Sequence, residues 1–201
     1  DGTHSNCKIS VTDNASNTSD NLSVRSFTIG AITPALVEVT PVPTPDNDNT
    51  SSYTFFSTLS GAISYGGSCS SSDNTTAVAG NNAITFNALA DGTYSNCKIS
   101  VTDNATNISD NLSVRSFTID TIAPTLAEET AVTTPSDNTT PSYTFSSNEA
   151  GTISYGGSCS SSTTSASSGN NSITFNSLSA AAYSNCKISV TDNASNKSDN
   201  L

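Results

Sequence analysis

The sequence predicts an all-β protein in which small β-sandwiches repeat along the chain. One stretch, in which apolar and polar side chains alternate, occurs three times, at residues 4–15, 94–105 and 183–194. Alternation with a period of two marks a strand that has one face in a core. Long segments of the chain also repeat, and no segment shows sustained helical periodicity. Together these observations favour repeated sandwiches over any helical architecture.

Internal repetition sets the size of the unit. Residues 1–30 match residues 91–120 at 26 of 30 positions, the differences being at positions 4, 16, 18 and 30. The period is 90 residues and then 89, because one residue is missing from a later loop. This length suits one immunoglobulin-like domain and is too long for a helical solenoid unit. We therefore predict tandem immunoglobulin-like β-sandwiches of Greek-key topology, with about seven strands each.

The period divides the chain into three parts, called here the first, second and third repeats. Residues 1–30 hold only the last two strands of a repeat, residues 31–120 form a complete repeat, and residues 121–201 lack the last strand. A lone two-stranded ribbon is marginal in water. We therefore expect the chain to continue at both ends, or a neighbouring copy to complete the broken repeats.

The complete repeat consists of short strands in order. A linker at 31–34 leads to a strand at 36–42, which the prolines at 41, 43 and 45 keep at a sheet edge. Further strands centre on Tyr53, Ile63 and Ile84, where apolar and polar residues alternate. The recurring strand ends at an Asp-Asn turn, and the last strand covers 112–119. Short strands with such turn signals are typical of an all-β sandwich.

The segment that leads into the recurring strand resembles the tyrosine corner of immunoglobulin-like folds, with Tyr94 and Tyr183 as the corner residues. In those folds the tyrosine lies two residues before a cysteine, but Tyr94 lies three before Cys97. A regular strand would place these two side chains on opposite faces. We therefore predict a β-bulge at 95–96, and a second at 115–116, where the phase of the last strand also changes.

The five cysteines are spaced singly, without a Cys-x-x-Cys pair, and the one histidine, His4, cannot build a zinc site with them. Within repeats the candidate disulfides are Cys69–Cys97 and Cys159–Cys186. Cys7 aligns with Cys97, so its partner would lie outside this sequence. Redox switching or thiol catalysis is the alternative, but the sequence places no His or basic cluster nearby to activate a thiol. Structural disulfides indicate an oxidising, extracellular location.

Composition excludes several classes of function. The chain has 6 basic and 17 acidic residues and a formal net charge of −11. So few cations cannot form the basic patch that nucleic acid requires, and no apolar run is long enough for membrane insertion. No Ser-His-Asp set, phosphate loop or carboxylate cleft is evident, so we predict no enzyme activity and no cofactor other than a metal ion considered below.

Three motifs in order resemble bacterial immunoglobulin-like repeats of large secreted adhesins and other cell-surface proteins. They are Ile-Thr-Phe-Asn-x-Leu-x-x-Gly-x-Tyr, then Val-Thr-Asp-Asn-Ala-Ser-Asn, which has Thr in place of Ser at position 106, then Ile-Asp-Thr-Ile-Ala-Pro. The resemblance covers the whole chain, although many such repeats lack cysteines. It implies a structural stalk or filament outside the cell, whose partners are further repeats or other copies, joined head to tail or laterally. The alternative is an adhesive or carbohydrate-binding module.

The resemblance also implies Ca²⁺ at a junction between repeats. Its ligands at the 120/121 junction would be Asp120 and Asp103, with Glu128 or Glu129 in reach. The other junction has Gly30 in place of Asp120. An alternative is that the aspartates of the three Val-Thr-Asp turns bond their own backbone: Asp13, Asp103 and Asp192. Motifs for Asn-linked glycans also recur, but a chain so rich in Asn, Ser and Thr produces many by chance.

Overall fold

The alternating segments fold as strands. The computed structural model describes residues 2–29 and 32–201, and all regular structure within them is β, as the sequence predicts. Gly30 and Ala31, at the predicted boundary between the first two repeats, lie outside the described residues. None of the described residues belongs to a helix that is long and apolar enough to cross a membrane.

The first repeat is a ribbon of two antiparallel segments. Its strands are β1 (Gly2–His4), β2 (Lys8–Ile9), β3 (Leu22–Ser23) and β4 (Phe27–Ile29). Strand β1 pairs with β4, and β2 pairs with β3. Among the described residues, these four strands form no ladder with the rest of the chain.

The second repeat contains three sheets. Its strands are β5 (Leu36–Thr40), β6 (Ser52–Ser57), β7 (Gly61–Gly66), β8 (Thr76–Ala77), β9 (Gly80–Thr85), β10 (Gly92–Tyr94), β11 (Lys98–Asp103), β12 (Leu112–Ser113) and β13 (Phe117–Ile119). The sheets have the orders β5-β6-β9, β12-β11-β7-β8 and β10-β13, and every ladder is antiparallel. A single parallel bridge joins Asp46 to Ile119.

The third repeat reproduces the first two of these sheets. Its strands are β14 (Leu126–Thr130), β15 (Ser142–Ser147), β16 (Gly151–Gly156), β17 (Ser165–Ala166), β18 (Gly169–Thr174) and β19 (Lys187–Thr191). They form sheets of order β14-β15-β18 and β17-β16-β19. No residue of the printed sequence corresponds in this repeat to 113–119, the segment that contains the second residue of β12 and all of β13.

The second and third repeats each have a separate hydrophobic core. The core of the second repeat draws side chains from all three sheets, and its most buried members, at most 1% exposed, include Tyr53, Phe55, Ile99, Val101 and Phe117. Full burial of a side chain of this size contributes about 1.5–3 kcal/mol. Ile99 and Val101, on the inward face of the recurring strand, are therefore among the side chains whose burial stabilises the repeat most.

The two predicted bulges are absent. Tyr94 faces Phe117 across β10 and β13, and Lys98 faces Ser113 across β11 and β12, so the pairing register is the same on both sides of the break. A bulge would have inserted one extra residue into one strand. Instead, both strands are interrupted together, at 95–97 and 114–116, and the backbone bond from Val114 N to Cys97 O bridges the gap at 3.0 Å. This paired interruption lets Tyr94 and Cys97 both reach the interior.

Candidate functional site

The cysteines form both disulfides that the sequence predicts. Cys69 bonds Cys97 across a Cα–Cα distance of 5.2 Å, and Cys159 bonds Cys186 across 5.1 Å. Each disulfide ties the turn that follows one strand of the inner ladder, β7 or β16, to the segment that precedes its partner, β11 or β19. Cys7 is a free thiol in this chain. Each disulfide therefore cross-links two strands that backbone hydrogen bonds already pair.

The tyrosines of the predicted corners bond their own chain. The Tyr94 hydroxyl donates to Ala90 O at 2.8 Å, and the Tyr183 hydroxyl donates to Ser179 O at 2.8 Å. These are bonds to a carbonyl a few residues upstream, which is the geometry of a tyrosine corner. In the first repeat His4 occupies the corner position and stacks on Phe27 with a centroid distance of 5.3 Å.

Sequence reasoning did not identify several other polar residues that serve the fold. The Tyr65 hydroxyl donates to Asn74 O at 2.5 Å, and Asn82 bonds both Val78 and Gly80 through its side chain. The third repeat makes the same kinds of bonds through Tyr155 and Asn171. Recurrence of these residues at equivalent positions was the available signal. Their partners are mostly backbone groups, so the partner residue itself differs between the repeats, as with Asn74 and Thr163.

The aspartate of each Val-Thr-Asp turn accepts bonds from its own turn. At Asp103, Oδ1 accepts from Ala105 N and Asn107 N at 2.8 Å each, and Oδ2 accepts from Asn107 Nδ2 at 2.9 Å. These bonds lower the pKa of Asp103, the side-chain bond from Asn107 contributing most. Asp13 and Asp192 accept equivalent bonds from Asn17 and Asn196. Each of the three aspartates therefore accepts hydrogen bonds within its own turn, as the alternative interpretation predicts.

Acidic side chains meet at the junction of the second and third repeats. Asp120, Glu149 and Asp192 each place a carboxylate oxygen within 4.8 Å of the others, and we call these three residues the junction cluster. Asn196 holds the junction by donating from Nδ2 to Asp120 O at 2.7 Å. Burial raises the pKa of Glu149, and the charges of Asp120 and Asp192 raise it further.

The junction cluster differs from the predicted calcium ligands. It contains Asp120 but neither Asp103 nor Glu128, and it is the one such group among the described residues. The turn aspartate comes from the repeat that follows the junction, not from the repeat before it. Glu149 replaces Leu59, and Asp120 replaces Gly30, of the preceding repeat. The sequence shows that both replacements introduce an acidic residue at this junction. Only the fold shows that the carboxylates of Asp120 and Glu149 lie close together.

The donor set of the junction cluster fits a hard divalent cation. Ca²⁺ binds oxygens at 2.3–2.6 Å, so two of its ligands can be separated by up to about 5 Å. The three carboxylates satisfy this spacing and would supply between three and six of the roughly six to eight oxygens that Ca²⁺ takes.

A groove with a volume of 740 Å³ runs along the third repeat, and we call it the open groove. Its lining includes the apolar or aromatic side chains Val132, Tyr143, Phe175, Tyr183 and Ile188. In the second repeat the equivalent positions belong to a core that β13 covers. There Phe117 stacks on Phe86 at 6.2 Å and on Tyr94 at 5.4 Å. The lining of the open groove therefore consists of side chains whose counterparts form the core of the second repeat.

No protein-family model, curated protein or solved structure matches this chain.

Proposed function

We propose that this chain is a structural segment of a long extracellular protein of a bacterial surface, built from immunoglobulin-like β-sandwiches and serving as a stalk or filament. The resemblance of the three ordered motifs to bacterial surface repeats supports the family and the location. The disulfides support an oxidising compartment outside the cytoplasm.

One observation carries the proposal: the conspicuous polar residues that recur between repeats bond the fold itself. The disulfides and the tyrosine corners have intramolecular partners in both the second and third repeats. A binding or catalytic residue needs a group that remains available to a ligand. A repeat whose shared polar groups are satisfied internally is suited to spacing and to bearing load.

Imaging of the native material tests this role against the adhesive alternative. Electron microscopy should show fibres or stalks in which units join end to end, and the 201-residue chain should bind no member of a glycan array. Compact particles together with saturable binding to one class of glycan would instead favour a carbohydrate-binding module.

Calcium at the junction cluster is part of the proposal. Asp120, Glu149 and Asp192 would hold the ion, which would neutralise their mutual repulsion and clamp the second repeat to the third. Binding to the folded state alone stabilises a protein by about 2.7 kcal/mol when the free ligand is 100 times its Kd. Added Ca²⁺ should therefore raise the Tm, and excess EDTA should reverse the rise.

A matched variant makes that test specific. Asp120→Asn should abolish the calcium-dependent rise in Tm, whereas Asp103→Asn, outside the junction cluster, should preserve it. Equal rises in the two variants would show that calcium acts elsewhere.

A further inference from the structure

The outer face of the sheet β5-β6-β9 carries apolar side chains that remain exposed. Val37, Val39 and Phe56 are 59%, 45% and 38% exposed. Val37 is the register partner of Phe56 across β5 and β6, so these two side chains lie side by side on one face of the sheet. Thr54 and Ala83, which are partners across β6 and β9, extend the same face. We call this surface the outer apolar face.

The outer apolar face distinguishes the second repeat from the third. Its positions hold smaller, polar or charged residues in the third repeat, where Ala127, Glu129, Ser146 and Ser172 replace Val37, Val39, Phe56 and Ala83 in that order. The inward positions of the same strands are unchanged, for example Phe55 and Phe145, each 0% exposed. The fold therefore requires the inward residues, whereas the third repeat forms the same sheet without the outer apolar ones.

The outer apolar face also lacks charge. The chain has a formal net charge of −11, so two copies repel each other wherever their carboxylates meet. Strands β6 and β9 contain no charged residue. The one charged residue of β5, Glu38, points inward, where its carboxylate accepts a hydrogen bond from the Tyr53 hydroxyl at 3.3 Å. Charge therefore does not oppose contact between copies at this face, and a charged partner would find no complementary group on it.

We propose that the outer apolar face binds the same face of a second copy, so that two chains pair side by side. Such a contact is isologous, since the same residues of both copies meet about a two-fold axis, and it closes after two chains. The contact removes Val37, Val39 and Phe56 of both copies from water. The third repeat is excluded from it, because Glu129 would bring a carboxylate into an apolar interface.

The size of the outer apolar face predicts a weak contact. Three strands about 4.8 Å apart, with six residues of about 3.4 Å each, give a face of roughly 14 by 20 Å. Two faces of this size bury less than about 1,200 Å² in total, which is the range of transient contacts. Stalks held side by side on one surface meet at a high effective concentration, so a weak contact suffices to pair them.

This lateral contact deepens the proposed stalk role and rests on it for its purpose. The two remain separable by experiment. A chain that stays monomeric would remove the lateral contact and leave the stalk role to be decided by imaging, whereas compact native particles would remove the stalk role even if two chains pair.

Sedimentation equilibrium of the 201-residue chain, from micromolar to millimolar concentration, provides the test. We expect a monomer–dimer equilibrium. Phe56→Ser and Val39→Glu introduce the residues that the third repeat has at these positions, so both variants should fold, and each should weaken dimerisation about tenfold or more. Ile108→Thr is the matched control: Ile108 is 61% exposed, lies outside the outer apolar face and has Thr18 as its counterpart in the first repeat.

The reverse exchange tests whether the outer apolar face is sufficient. Ala127→Val, Glu129→Val and Ser146→Phe together copy the face onto the third repeat and should strengthen self-association about tenfold or more. Added salt should also strengthen dimerisation, because it screens the repulsion between two acidic chains. Association that salt weakens would indicate an attraction between opposite charges and would overturn the proposal.

Two further results would contradict pairing through this face. A chain that is monomeric at every concentration would overturn it, and so would equal losses from Phe56→Ser and Ile108→Thr, because association would then use another surface. Binding of a glycan that Phe56→Ser abolishes, in a chain that stays monomeric, would assign the outer apolar face to carbohydrate and not to a second copy.

Discussion

At the residue scale, each disulfide acts on a ladder that hydrogen bonds already define. Cys69 and Cys97 close a loop with a sequence separation of 28, and their partners in the third repeat close one of 27. Cross-linking a loop of this length removes unfolded-state entropy equivalent to about 3–4 kcal/mol. Spacing alone predicted both pairs, since every cysteine has one regular position per repeat and few alternatives exist within a repeat.

Replacing Cys69 and Cys97 together by alanine should therefore lower the free energy of unfolding of the second repeat by about 3–4 kcal/mol. Denaturant titration followed by circular dichroism measures this loss. Cys7→Ser is the matched control, because Cys7 is a free thiol and its replacement should leave the midpoint unchanged. An equal effect of both changes would mean that the loss arises from altered packing and not from the cross-link.

The turn aspartates make an acid-sensitive contribution. The pKa of Asp103 is lowered in the folded state, so the turn is stabilised above the unfolded pKa of 3.8, and that stabilisation is lost as pH falls through the folded pKa. A carboxyl-detected NMR titration should give Asp103 a midpoint below 3.8. Asn107→Ala should return the midpoint toward 3.8, because Asn107 provides the largest cause of the shift. An unchanged midpoint in that variant would contradict the hydrogen-bond explanation.

At the element scale, the strands were predictable, but the way in which they change phase was not. The spacing of Tyr94 and Cys97 showed that both could not face inward in one regular strand. A bulge in one strand and a paired interruption of two strands shift the phase of that strand equally, so a single strand's pattern cannot distinguish them. Only the pairing with β12 and β13 shows the paired interruption.

The turn after β7 requires glycine at position 67. Gly67 has a φ of +75°, and a Cβ there would lie 2.1 Å from Asn96 O. Gly80 also has a positive φ, +121°, but its Cβ would meet nothing within 4 Å. Gly80→Ala should therefore cost about 1–3 kcal/mol of backbone strain alone, and Gly67→Ala should cost more, measured by thermal unfolding. Equal losses would show that close approach to Asn96 is not restrictive.

At the scale of the whole molecule, the junction cluster couples the two repeats in a pH-dependent way. The pKa of Glu149 is raised in the folded state, so its contribution to stability is greatest below the unfolded pKa of 4.5 and is lost as pH rises through the folded pKa. Without divalent cations, Glu149→Gln should therefore raise the Tm at pH 7 and have little effect at pH 4. A lower Tm at pH 7 without added metal would contradict this account.

The partners of the junction cluster were the least predictable part of the site. The sequence identified Asp120 but placed it with Asp103, one repeat too early. Asp192 and Glu149 are 72 and 29 positions away from Asp120 (192 − 120 and 149 − 120), so only the arrangement of the third repeat brings them to it. By contrast, Asp192 has the same place in its turn as Asp103, which the repeat register alone shows.

Single-molecule force extension of the 201-residue chain, pulled from its two ends, tests the central claim most directly. Two separate cores predict two separate unfolding events, with the open third repeat yielding at the lower force. Residues inside each disulfide loop should stay locked until reduction, which should lengthen each event by about 10 nm, the extended length of roughly 28 residues. One cooperative event for both cores, or extension lengths that reduction leaves unchanged, would contradict the account of independent, disulfide-stapled mechanical repeats.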